Sequence, residues 1–342
     1  MKFSDNTILY PYNRVLENAI TESRSLLTAE QSGALFPDRS VTVADNFLHT
    51  RGNFEQQRFN SGVFENLRDA LISSLDNTDQ ENESLAWAES QNNLGNILAA
   101  LGQQKGSRES FEQAIDCFNK TLEVYDQEST PGDWAITQFN LGAAYQALGR
   151  LIDDKKSLNN AISAYTNALL VWSRDDSPEE WMLTMHNLGA TFHAYGKHLK
   201  GNRNFQKSVV AYKNAIAMLD ADNYAFELAA AHNNCGAVLH NLAESEENPE
   251  RMEEAIRSYE KGWTVCMEQQ LPVHLSVLCR VNKSSARGVL AEMTKDLLLA
   301  EEVADEYEVI LECFPHALQP LCAKFCKEQM SKLQQMAATA SA

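Results

Sequence analysis

The chain has 342 residues, a net charge of −18, 44% hydrophobic residues, and only 15 glycines and 8 prolines. Because an all-β fold needs a turn every few residues, this scarcity of chain breakers argues against it and favours helices. The negative charge argues against nucleic-acid partners and anionic membrane surfaces, since both repel an acidic protein.

Neither disulfides nor membrane segments are indicated. The 7 cysteines are unevenly spaced in a large chain, which is not the pattern of a disulfide framework, and we expect reduced thiols. The N-terminus has no continuous apolar run, and no later stretch approaches the roughly 18 apolar residues of a membrane span. These features predict a cytoplasmic protein.

The first segment of the chain, residues 1–80, is only weakly repetitive. Asn46 lies 47 residues before Asn93, but the helix predicted over about 55–75 lacks the alanine and tyrosine pattern of the later segments. We predict that residues 1–80 form a divergent helical N-terminal cap containing one decayed repeat, because end units depart from consensus where they meet water.

Four segments downstream of this cap align without gaps, each 47 residues after the last. They read WAESQNNLGNILAALG from Trp87, WAITQFNLGAAYQALG from Trp134, WMLTMHNLGATFHAYG from Trp181 and LAAAHNNCGAVLHNLA from Leu228. A second set with the same period reads AIDCFNKTL from Ala114, AISAYTNAL from Ala161, SVVAYKNAI from Ser208 and AIRSYEKGW from Ala255. Each set has helical periodicity, so one repeat is two helices joined by turns.

Glycines mark the first helix of each repeat. Gly142 and its counterparts 47 residues apart fall in the middle of the helix, where glycine costs about 1 kcal/mol relative to alanine. Their recurrence predicts that a neighbouring helix approaches the backbone closely there. Gly149 and Gly196 are predicted to be C-caps, because glycine adopts the left-handed conformation that commonly ends a helix.

A helix with Trp and Leu-Gly, followed by a helix with Ala-x3-Tyr/Phe-x2-Ala, resembles the tetratricopeptide repeat in a long, 47-residue bacterial form. The resemblance implies an all-α, right-handed superhelical solenoid of antiparallel helix pairs. We place the repeats in residues 81–314, with units starting near 84, 131, 178, 225 and 272. Residues 315–342 are predicted to be a C-terminal capping helix and a frayed tail.

An asparagine recurs just before Leu-Gly or Cys-Gly in the first helix. This position, the asparagine slot, holds Asn93, Asn140, Asn187 and Asn234. Asparagine is a mediocre helix former, but its amide can pair with both the C=O and the N–H of an extended peptide. The slot resembles that of kinesin light chains, which implies peptide binding on a concave face formed by the first helices. The alternative is a structural role in which these side chains bond to a neighbouring repeat.

Further polar residues are expected on the same face. They lie beside the slot or one turn beyond it: Asn92, Asn96, Gln146, His186, His193, Asn233, His240 and Asn241. The histidines lack carboxylate or cysteine neighbours at metal-binding spacing. Only Cys313, His316, Cys322 and Cys326 offer a denser set of zinc-type ligands, and their spacing matches no standard zinc site, so no metal is predicted.

The sequence carries no recognisable catalytic or phosphate-binding motif, so we expect neither enzymatic activity nor a cofactor. We predict a non-catalytic adaptor or scaffold that binds a protein or an extended peptide, with self-association left open. The alternative is a regulatory sensor or inhibitory subunit whose superhelix changes when a peptide binds.

Overall fold

A computed structural model describes residues 61–271, 273–314 and 320–339, which group into two compact units. The first unit contains α1 (Ser61–Asp76), α2 (Ser84–Lys105), α3 (Arg108–Thr121), α4 (Pro131–Leu151), α5 (Lys155–Ala168) and α6 (Pro178–Lys197). The second contains α7 (Arg203–Ile216), α8 (Ala225–Glu246), α9 (Pro249–Glu268), α10 (Val273–Thr294), α11 (Leu297–Cys313) and α12 (Pro320–Thr339). The described residues form no strand, which confirms the predicted all-α class. Residues 1–60, most of the predicted cap, lie outside the described part.

Helix starts follow local sequence. Pro131, Pro178 and Pro249 occupy the first turn of α4, α6 and α9, where a missing N–H costs nothing and φ already suits a helix. Elsewhere a polar side chain caps the free N–H groups, as when the Asp154 carboxylate accepts hydrogen bonds from the backbone N–H groups of Lys156 and Ser157.

The turns between paired helices correct the expected role of two glycines. Gly149 and Gly196 lie inside α4 and α6 rather than after them. The left-handed residue of the turn after α4 is Asp153, with φ 55°. The corresponding residue after α8 is Glu247, with φ 48°. Gly149 instead accommodates the second helix, because a Cβ atom there would lie 2.8 Å from Cγ of Leu158.

Within each unit, every helix packs against its sequence neighbours. In the first unit α2 pairs with α3 and α4 pairs with α5, and the first helices also touch one another, α2 with α4 and α4 with α6. In the second unit α8 pairs with α9 and α10 pairs with α11, while α8 contacts α10 and α12 packs on α10 and α11. This pattern of contacts between neighbouring helices is that of stacked helix pairs in a repeat protein.

The recurrent mid-helix glycines face aromatic rings of the second helix. A Cβ atom at Gly142 would lie 2.8 Å from Cδ1 of Tyr165, and one at Gly236 would lie 2.8 Å from Cδ1 of Tyr259. Both tyrosine side chains are completely buried. The close approach predicted from the glycine recurrence is therefore confirmed, and it is made by a ring.

Across the described part of the chain, no helix combines the length and the apolar character that crossing a membrane would require.

Candidate functional site

The asparagine slot lies in the first helix of each repeat, in α2, α4 and α6 of the first unit and in α8 of the second. Its four members differ in exposure. Asn140 and Asn234 are buried, with 3% and 0% of their surface exposed, whereas Asn93 and Asn187 are half-buried. Only the latter two offer side-chain surface in this conformation.

Asn140 of the slot, and Asn282, which lies 48 residues after Asn234 in the next repeat, both bond to the preceding repeat. The Asn140 side-chain N–H group donates to Oδ1 of Asn92, with Nδ2 and Oδ1 3.4 Å apart, and joins α4 to α2. In the second unit, Asn282 on α10 donates to Oδ1 of Asn233 on α8 over 2.9 Å. In both cases the acceptor comes from the residue just before the slot. These bonds link successive first helices, as the structural alternative expects.

Several carboxamide atoms at or beside the slot are buried without a partner among the described residues. Both side-chain polar atoms of Asn234, Nδ2 of Asn233 and Oδ1 of Asn93 are inaccessible to water and make no hydrogen bond. Leaving such a group unsatisfied costs about 1–3 kcal/mol. Unsatisfied buried groups are uncommon in native proteins, and each calls for an explanation such as a water or a ligand.

The residues one turn beyond the slot are mostly buried as well. Gln146 accepts a hydrogen bond from the Tyr165 hydroxyl over 2.7 Å, so it fixes a core ring. The His240 ring packs edge-on against Tyr259, and its Nε2 lies 3.6 Å from a Glu244 carboxylate oxygen. Asn96 is also buried, whereas Asn241 is half-buried.

Two histidines of α6 are held in the neutral form. His186 and His193 each expose 2% of their surface. Burial lowers the pKa of both imidazoles to about 3, with a smaller contribution from the Arg150 charge at His193. Neutral, water-inaccessible rings at these positions act as packing groups rather than as charges on a surface.

The residues considered for zinc are only partly described. Cys313 is exposed at the end of α11, and Cys326 is buried in the core of the second unit beside Leu333. His316 and the side chain of Cys322 lie outside the described residues. Within the described residues, no three histidine, cysteine or acidic side chains are grouped closely enough to hold a metal ion.

A second periodic set of polar residues escaped the sequence analysis. Asp79, Asp126, Ser173 and Asp220 follow one another at the 47-residue period and occupy the turns that lead into the first helices. Each accepts hydrogen bonds from backbone N–H groups two or three residues later, as Asp126 does from Glu128 and Ser129 at 2.8 Å. The pKa of Asp79 and of Asp126 is lowered most by side-chain hydrogen bonds from Asn82 and Ser129, and further by these backbone bonds, whereas the backbone N–H group of Asn223 lowers the pKa of Asp220 most. The spacing alone would have revealed them.

A family model described as tetratricopeptide repeat matches residues 87–127. The matched stretch covers most of α2, all of α3 and the turn that follows. No curated protein matches the chain.

Proposed function

We propose that this chain, whose residues 87–127 match a tetratricopeptide repeat family model, is a non-catalytic adaptor that binds a partner protein or an extended peptide. Tetratricopeptide repeats generally mediate protein–protein interactions, and the family is typically non-catalytic. Within each unit, the proposed contact surface is the face of the first helices that carries the asparagine slot. Because fold alone does not carry function, the proposal has to rest on that site.

The observation that carries the proposal is the set of unsatisfied carboxamides, Asn234 above all. Its side-chain oxygen and nitrogen are both buried and unpaired among the described residues. An extended backbone presents C=O and N–H groups that one carboxamide can pair with together. Since Asn234 has no exposed surface, binding has to uncover it, and the new hydrogen bonds offset the cost of doing so.

The slot asparagines and the other polar residues of this face take different roles in binding. Asn140 and Asn282 are engaged in bonds between repeats and keep neighbouring first helices in register. Asn93, Asn187 and Asn241 are half-buried and make the first contacts with the partner. The buried members, Asn92, Asn96, Gln146, His186, His193 and His240, support the face from beneath.

We expect the protein to lie in the cytoplasm and its partners to be proteins. A net charge of −18 is compatible with a cytoplasmic protein whose partners are proteins rather than nucleic acids, because polyanions are repelled.

The test compares a double variant of the asparagine face with a control variant of a second helix. Asn93→Ala with Asn187→Ala removes the half-exposed slot members of the first unit, and Asn159→Ala removes an exposed amide from the second helix α5. Affinity capture from native lysate with mass spectrometry should recover a partner with wild type and Asn159→Ala, and lose it with the double variant. Equal thermal midpoints would show that all three proteins are folded. Retention of the partner by the folded double variant contradicts the proposal.

A regulatory version of the same function is favoured by the burial of Asn234, because a partner that uncovers this side chain also rearranges α8. Small-angle scattering at saturating partner should then show a change in radius of gyration. An unchanged radius of gyration would contradict the regulatory version and would be expected of a rigid adaptor.

A further inference from the structure

Arg280, on α10, is held between two aromatic rings that come from different parts of the second unit. Its guanidinium carbon lies 5.7 Å from the ring centroid of Trp263 on α9 and 5.8 Å from that of Phe314, just after α11. Both distances are within the range in which a cation is attracted to an aromatic ring. The two rings therefore fix the position of the guanidinium group.

Among the residues that the structure describes, this guanidinium has no anionic partner. Arg251, Arg257 and Arg287 of the same unit each pair with at least one glutamate, at 2.9 Å, 3.4 Å and 2.6 Å. Arg280 makes neither an ion pair nor a hydrogen bond with any described residue, although it is half-buried. Its five N–H donors can therefore bind an acceptor that the described residues do not supply.

A second cation lies one turn further along α10. The Lys283 ammonium nitrogen lies 4.6 Å from the Trp263 ring centroid and 2.8 Å from a carboxylate oxygen of Glu260. Among the contacts of the described residues, these two cations face one carboxylate, so one positive charge is uncompensated there. The surplus belongs to Arg280, because Glu260 already neutralises Lys283.

We propose that Arg280, held between Trp263 and Phe314, binds a carboxylate presented by an acidic segment of a partner protein. The planar guanidinium forms two parallel hydrogen bonds with a carboxylate, which a lysine cannot do. Rings that fix the guanidinium in advance reduce the entropy lost on binding. The inference rests on the proposed adaptor function and names a chemical feature of its partner.

The balance of charge favours a short acidic segment over a nucleic acid. A nucleic acid brings one negative charge per phosphate and needs a row of cations to displace its counterions, whereas this site has one uncompensated charge. The net charge of −18 repels any anion at long range, but salt confines that repulsion to about 8 Å at physiological ionic strength. A single carboxylate in contact with Arg280 is attracted inside that distance.

The test uses the full chain and a fluorescein-labelled, end-blocked peptide of six glutamates, with a peptide of six glutamines as the neutral probe. Fluorescence anisotropy should show saturable binding of the glutamate peptide to wild type and none of the glutamine peptide. Arg280→Gln should weaken binding by at least about tenfold, as expected for the loss of a charge-assisted bidentate contact. Arg257→Gln, which removes an exposed arginine of α9, should bind as wild type does.

Arg280→Lys keeps the charge and the aliphatic stem, so it tests the guanidinium itself and guards against an unfolded Arg280→Gln protein. It should also bind more weakly than wild type. Equal binding by Arg280→Lys, Arg280→Gln and wild type overturns the inference, and so does the absence of saturable binding to wild type. If inorganic phosphate binds at Arg280 and the glutamate peptide does not, the proposal that the partner is an acidic protein segment is wrong.

This outcome is separable from that of the adaptor proposal. The Asn93→Ala, Asn187→Ala variant leaves Arg280 intact and should bind the glutamate peptide as wild type does. If lysate capture fails to depend on the asparagines while the peptide still depends on Arg280, the asparagine face is wrong and the carboxylate site stands.

Discussion

The side chain of Asn282 donates a hydrogen bond to the carboxamide oxygen of Asn233 over 2.9 Å, joining α10 to α8. The same relationship, between Asn140 and Asn92, joins α4 to α2 in the first unit. In each unit an asparagine of one first helix is thus bonded to the first helix of the preceding repeat. A residue type that suggests ligand recognition therefore also holds the repeats together.

Removing one side of this bond should destabilise the second unit. Asn282→Ala leaves the Asn233 oxygen buried without a donor, and we expect the free energy of unfolding to fall by about 1–2 kcal/mol. Adding Asn233→Ala removes the stranded acceptor as well, so the double variant should lose less than the sum of the single changes. Urea unfolding of the four proteins measures the coupling. Strict additivity would mean that the bond contributes nothing.

The contact between Gly142 and Tyr165 should tolerate no methyl group. Gly142→Ala places a Cβ atom 2.8 Å from the buried tyrosine ring, and we expect a net loss of about 1–3 kcal/mol from overpacking. Gly132→Ala is the matched control in the same helix, because a Cβ atom there meets nothing within 4 Å. That change should be neutral or stabilising, since alanine is the better helix former. Thermal unfolding of both variants checks the sign, and a Gly142→Ala protein as stable as wild type would contradict the packing argument.

Glu247 is a position where glycine should be better than the native residue. Its φ of 48° is left-handed, a conformation that costs a non-glycine residue roughly 1–2 kcal/mol. Glu247→Gly should therefore raise the free energy of unfolding by about 1 kcal/mol, after allowance for the greater freedom of glycine in the unfolded chain. Glu250→Gly, three residues on and inside α9, should instead be destabilising. If both substitutions lower the urea midpoint, the left-handed strain is not relieved.

The buried histidines of α6 should make the protein sensitive to mild acid. Burial lowers the folded-state pKa of His186 and His193 from 6.5 to about 3, so the unfolded chain binds more protons between these values. Stability is therefore complete above about pH 6.5 and falls as the pH drops, by about 2 kcal/mol per histidine between pH 7 and pH 5.

The measurement is urea unfolding at pH 7 and at pH 5 for wild type and for His186→Gln with His193→Gln. The double variant should lose less stability between the two pH values, whatever its stability at pH 7. The aspartates of the turns do not interfere, because their lowered pKa values place their titration below this window. An unchanged pH dependence would show that these histidines are not buried in the neutral form.

Periodicity in the sequence was sufficient to predict paired helices and the crowding at Gly142. A pattern that repeats at one fixed period reflects contacts within a repeat or between adjacent repeats, and both recur at that period. The prediction that the helices end at Gly149 and Gly196 was wrong, since both lie inside their helices, and at Gly149 the glycine is needed for the approach of Leu158 rather than for the turn.

What the sequence by itself determined is the all-helical class, the resemblance to tetratricopeptide repeats and the position of the asparagine slot in the first helix of each repeat. Only the tertiary structure decided that Asn140 bonds to Asn92, that Asn234 is buried without a partner, and that Arg280 lies between Trp263 and Phe314. The physical reason is that helical periodicity fixes the face on which a side chain lies. Whether that side chain is covered, paired or left with free donors depends on residues from other helices, far away in the chain.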